Sequence, residues 1–173
     1  MKYVEAPNIV EDKTGITSVF LGGGITSCKD WQVNLVEILK DYNVTIYNPR
    51  RNQFDLTDVK VSEEQIRWEH KYLHESNILV FYFAEETLCP ITLFELGAAL
   101  ERNMYLPYHT RQHIIIYCEP GYKRKFDVEF QSSLAIEYFD KLSKNPDILF
   151  VQVTDNYDVF IDTLKLTITY LSL

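Results

Sequence analysis

Short apolar runs alternate along this chain with longer segments whose apolar residues recur every three or four positions. The first run, Thr17 to Leu21, is β-branched and aromatic and stops at Gly22-Gly23-Gly24. From Asp30 to Tyr42, Trp31, Leu35, Ile38 and Leu39 fall on one face of a helix. Val44 to Tyr47 reads as a second strand closed by Asn48-Pro49, and a polar loop follows to about Lys60. Ser62 and Gln65 have capping-box spacing and predict a helix from there to about Glu75. Ile78 to Phe83 is continuously apolar, the pattern of a strand covered on both faces. Pro90 suits the first turn of a helix that runs to about Asn103. A strand from Ile114 to Cys118, a helix from about Val128 to Ser143, a strand from Ile148 to Val153 and a helix from Tyr157 to Leu171 complete the series.

Strand and helix thus alternate five times, the order of a parallel sheet with helices on both faces. The expected fold is one three-layer α/β domain over residues 1–173. Its five parallel strands take the flavodoxin-like (Rossmann-like) order 2-1-3-4-5. Ligands of such sheets bind beyond the carboxyl ends of the strands, where the strand order reverses. The segments leaving those ends are Gly22–Cys28, Asn48–Lys60, Ala84–Pro90 and Glu119–Phe126.

Composition narrows the function classes. A chain of 173 residues with 46% apolar and 24% charged residues is globular and large enough for a sizeable core. With 25 acidic and 17 basic residues the formal charge is −8, which argues against a nucleic-acid partner. No apolar run is long enough to span a bilayer, so no membrane partner is expected. The charged stretch Met1 to Lys13 has no export signal, and Cys28, Cys89 and Cys118 are too few and too scattered for a disulfide framework. A reducing, cytoplasmic setting is expected. Twelve tyrosines and ten phenylalanines exceed what one small core needs and predict a homo-oligomer.

Candidate chemistry centres on carboxylates. Glu95 is the single charged residue between Ile91 and Leu100, set among Leu93, Phe94, Leu96 and Ala98. Leaving an ion in apolar surroundings costs several kcal/mol unless it is paired or faces a wetted cleft. An ionised carboxylate there can attack an electron-poor carbon such as the anomeric carbon of a sugar. The alternative is a helix-start glutamate that complements the helix dipole. Glu69 shares a helix face with Ile66 and Leu73 and interrupts their apolar row, either to meet a base or sugar or to pair with a basic residue. Gly22, Gly23 and Gly24 form a tight turn that admits close backbone approach to a sugar or phosphate. Arg50-Arg51 and Lys123-Arg124-Lys125 are the local basic clusters, either phosphate grips or solvated loops. His70 and His74 stand at metal-pair spacing without an obvious third ligand. No metal or redox cofactor is called for.

These pieces together resemble the nucleoside 2-deoxyribosyltransferase family, in its broad transferase-like branch, from about Val19 to Val153. The resemblance rests on the glycine turn, Asn48-Pro49-Arg50-Arg51, Gln65-Ile66-Arg67-Trp68-Glu69, the strand from Asn77, and Phe94-Glu95-Leu96-Gly97. It implies that Glu95 is the nucleophile and that Glu69 holds the base. It also implies that Asp127, in Arg124-Lys125-Phe126-Asp127-Val128, serves a neighbouring subunit's site. Phe20 stands where a tyrosine is often found, Asn77 where many members have aspartate, and Cys89 near the place of a further acid. The expected function is an N-glycosyl-bond enzyme acting on nucleosides or nucleotides, by deoxyribosyl transfer or hydrolysis, through a covalent glycosyl-glutamate. Arg50 or Arg51 would take a 5′-phosphate. The alternatives are a catalytically silent nucleotide-binding module with the same cleft, or an interaction protein.

Overall fold

The computed structural model describes residues 1–10, 15–51, 58–142 and 150–173. The strands are β1 (Lys2–Glu5), β2 (Ser18–Gly23), β3 (Thr45–Asn48), β4 (Ile78–Phe83), β5 (His113–Cys118) and β6 (Val151–Thr154). The helices are α1 (Trp31–Ile38), α2 (Val59–Glu75), α3 (Pro90–Tyr105), α4 (Lys125–Leu142) and α5 (Tyr157–Leu171). The strands form one sheet in the order β1-β3-β2-β4-β5-β6, every pairing parallel. The sheet therefore has six strands, not five in the order 2-1-3-4-5. The added strand is β1, which pairs with the outer edge of β3 (Val4 opposite Tyr47). It carries charges at both ends and buries one side chain, Val4, so its apolar pattern is too short to register. Charged, short edge strands also resist pairing with foreign chains. The expected beginning of the last strand at Ile148, the end of the fourth helix at Ser143, and most of the loop between Asn48 and Lys60 lie outside the described residues.

Alternate strand residues point to opposite faces, and the two faces have separate cores. One face sets Val19, Leu21, Val80, Tyr82 and Ile115 against α1 and α5. The other sets Phe20, Tyr47, Phe81, Phe83 and Ile116 against α2, α3 and α4. The chain leaves β2 toward β3 on one side, then crosses back to β4 on the other. The strand order reverses between β2 and β4, and their carboxyl ends open a crevice on the α2–α3 face.

Two local readings need correction. Helix α2 is capped by Asp58, whose carboxylate accepts from the N–H groups of Lys60 and Val61, so Ser62 lies inside the helix. The buried face of α2 is Gln65, Trp68, Tyr72 and Leu73, while Ile66 is 63% exposed. The glycines also work differently from a turn. Gly22 and Gly23 belong to β2, opposite Phe81 and Tyr82, and the one glycine with positive φ among the described residues is Gly15. What Gly23 needs is space. A Cβ there would sit 2.5 Å from the Trp31 ring and 2.6 Å from the Tyr82 carbonyl. Trp31 stacks on Tyr82 with centroids 4.5 Å apart and donates its indole N–H to the Gly24 carbonyl at 2.9 Å. Gly23→Ala is accordingly expected to cost about 2–3 kcal/mol by overpacking, read as a fall in Tm of about 5–10 °C.

Candidate active site

The crevice is a cavity of about 430 Å³, inside the range of about 300–1,000 Å³ usual for small-molecule sites. Its floor is Phe20, Gly22, Gly23 and Gly24 of β2 and the residues after it. One wall is Ser62, Gln65, Ile66 and Glu69 of α2, and the other is Cys89, Pro90, Thr92 and Glu95 at the start of α3. A Cβ on Gly24 would come within 2.8 Å of Thr87 and 3.0 Å of the Cys89 sulfur, so the missing side chain keeps this corner open. Cys89 caps α3 in the left-handed region, at φ 47°, a conformation uncommon outside glycine. It turns the chain so that Pro90 begins the helix and Glu95 points inward one and a half turns later.

Two carboxyls face this cavity. Burial pushes the Glu95 carboxyl up from its ordinary 4.5 to about 8, with the charge of Glu69 as the second cause. Glu95 therefore holds a proton at neutral pH in the empty site, where an ionised group was expected. Its apolar setting also differs in origin from the one expected. Phe94 is 76% exposed and Ala98 faces outward, so desolvation comes from the cavity walls and not from the whole run. Burial raises Glu69 as well, opposed by a hydrogen bond from Gln65 and by the Arg51 charge. The two groups share one cavity and each bears on the other's titration. A third inward carboxyl makes the contrast. Burial would also raise Glu119, but donors from the Glu85 N–H (2.9 Å), Lys29 and the Tyr82 hydroxyl (2.6 Å) outweigh it and hold the group below its usual range. Glu119 has three donors, whereas Glu69 has the Gln65 amide and desolvation dominates both members of the cavity pair.

The structure brings together Phe20, Gly22, Gly23, Gly24, Glu69, Cys89 and Glu95. A family model described as nucleoside 2-deoxyribosyltransferase like matches residues 16–122. The chain belongs to that family. A search of curated proteins finds no match. The matched stretch contains both cavity carboxyls and all the glycines of the floor. In this nucleoside 2-deoxyribosyltransferase-like domain four other expected site residues lie outside the cavity lining. Asn77 sits at the amino end of β4, where its side-chain Oδ1 accepts from the Ser18 N–H and hydroxyl, both at 2.9 Å. Arg50 ties the end of β3 to the carbonyls of Lys29 and Cys28 and to Gln32. Arg51 reaches Glu64 and the Val61 carbonyl. Asp127 pairs with Arg124 at 2.9 Å beside a separate groove between α3 and α4. His74 approaches Arg102 at 3.1 Å, and the described residues contain no cluster of three metal-ligating side chains. Gln65, Thr87 and Thr92 line the cavity although the sequence singled none of them out for the site. Gln65 stood out for its capping spacing and as the first residue of the Gln65–Glu69 motif, without a role in the site.

The raised Glu95 carboxyl has a consequence for folding. Unfolded, it ionises near 4.5; folded, near 8. Between these values the native state binds the extra proton, so stability falls as pH rises through that window. Glu95→Gln removes the cost. At pH 9 the variant is expected to exceed the wild type by on the order of 1–3 kcal/mol, and at pH 5 to match it, in denaturant titrations at both values.

Proposed function

We propose that this protein breaks the N-glycosidic bond of a nucleoside or nucleotide, with Glu95 as nucleophile and Glu69 as the group that protonates the departing base. The reading rests on one observation above all: two desolvated carboxyls share the cavity at the point of strand reversal. Retaining glycosidases need such a pair, one ionised and one protonated. Burial raises both carboxyls of this pair, which favours keeping a proton on it. In the empty site the proton rests on Glu95; in the reacting complex it is on Glu69, beside the base. The Glu95 carboxylate then bonds to C1′ as the C1′–N bond breaks. The electron pair stays on the base nitrogen, which takes the proton from Glu69. Water or a second base opens the ester, and with water the proton returns to the pair. Gly24 keeps its corner of the cavity open for the sugar, and Phe20 forms part of the apolar floor.

The same reading includes a homo-oligomer. Phe94, Phe126 and Phe130 are exposed on α3 and α4, the last two stacked 5.7 Å apart beside the groove that holds Asp127. Aromatic residues clustered on a surface are a mark of interfaces. Three free cysteines, two of them buried, fit a reducing compartment such as the cytoplasm, and no helix among the described residues is long and apolar enough to cross a membrane.

Chromatography of nucleosides and nucleoside 5′-monophosphates incubated with the protein, with and without a second free base, tests the activity. Release of free base by the wild type and a loss of about a thousandfold or more in Glu95→Ala are expected. Substrates left intact by both proteins would favour the silent binding module. The pH profile tests the proton assignment. Because the active form carries one proton on the pair, kcat/KM is expected to fall about tenfold per pH unit above about 8. A profile that keeps rising through pH 8 would show that both groups work ionised.

A further inference from the structure

We propose that Gln65 is a positioning residue that aims the Glu69 carboxyl into the cavity and holds it as the charged member of the Glu69–Glu95 pair in the resting site. This rests on the reading of that pair as the reacting groups.

Gln65 is 6% exposed and stands one helical turn before Glu69 on α2. Its Nε2 donates to the Pro49 carbonyl and to Glu69 Oε1, both at 2.8 Å. Both amide hydrogens are therefore used, one on the exit of β3 and one on the carboxyl. A flipped amide would set Oε1 against two acceptors, so the orientation is determined. In that orientation Oε1 is buried without a hydrogen-bond partner among the described residues. A buried acceptor left unpaired is costly, and neither a leucine nor a methionine at this position would carry that cost. What the glutamine supplies in return is a fixed donor on Glu69, bracketed between α2 and the Asn48-Pro49 segment.

A hydrogen bond to a carboxylate favours its charged form. Among the described residues the charged groups acting on Glu69 are Arg51, at the exit of β3, and Glu95, on α3. Arg51 also reaches Glu64 on the outer side of α2. Gln65 is the group in direct contact with the Glu69 oxygen. It thus biases Glu69 toward its charged form and fixes where that oxygen points.

The test reads titration directly and needs no turnover. In protein labelled at glutamine side-chain nitrogen and glutamate carboxyl carbon, the Gln65 amide resonances of the wild type should move in step with the Glu69 carboxyl. In Gln65→Met the Glu69 midpoint should rise by about one pH unit. Where turnover is measurable, the acid limb of kcat/KM should follow it upward while the alkaline limb stays in place. Wild-type amide resonances that ignore the Glu69 titration would overturn the assignment, even if the variant does not fold. So would a Glu69 midpoint unchanged in a folded Gln65→Met. Absence of turnover in the wild type would count against the glycosidic reaction alone, because the titrations decide the role of Gln65 without it.

Discussion

Two carboxyls facing one small, mostly apolar cavity cannot both be charged without large cost. Water that would solvate them is displaced by Phe20, Ile66, Cys89 and Pro90, and their mutual repulsion adds to the loss. A proton kept on the pair lowers that cost. In the reaction proposed above, environment would set apart two like residues as attacking group and proton donor.

The fold places this pair through a chain of close approaches. The parallel sheet reverses its order between β2 and β4, so α2 and α3 descend on either side of the β2 exit. The glycines of that exit are there because side chains would strike Trp31, the Tyr82 carbonyl, Thr87 and Cys89. Trp31, stacked on Tyr82 and bonded to the Gly24 carbonyl, braces the floor from the opposite face of the sheet. Cys89, in a left-handed conformation at the cap of α3, aims the first turns of that helix at the opening. The Gln65 amide then joins α2 to the exit of β3. Glu69 and Glu95 are each held by a different helix, and the distance between those helices is set by β2 and β4. Rigid elements with large cores on both faces hold a reactive geometry better than loops do.

Much of this was legible before any coordinates. Unbroken apolar runs such as Ile78–Phe83 and regular helical spacing from Trp31 onward identify the parallel sheet and its helices, because burial on both faces leaves no polar position in a strand. Glu95 stood out as a lone charge in an apolar run. Its protonation did not, since that depends on Glu69 and on cavity walls contributed by three other segments. Lys2–Glu5 escaped because an edge strand buries too little to show an alternating pattern. Gly22 and Gly23 read as a turn because sequence does not distinguish a glycine chosen for φ from one chosen for the neighbour it would strike. Gln65 read as half of a capping box, since its two acceptors, the Pro49 carbonyl and the Glu69 carboxyl, are brought to it only when α2 packs on β3. Arg50 and Arg51 looked free for a phosphate; folding gives them carbonyls and carboxylates of the chain itself.

The most direct measurement is a carbon-detected titration of the Glu95 carboxyl in the unliganded wild-type protein, assigned by comparison with Glu95→Gln. A midpoint near 8, with a smaller inflection where Glu69 ionises, is the predicted result. A single midpoint near the ordinary value of 4.5 would mean that the cavity is wet and the two carboxyls independent, and the shared-proton account would fail.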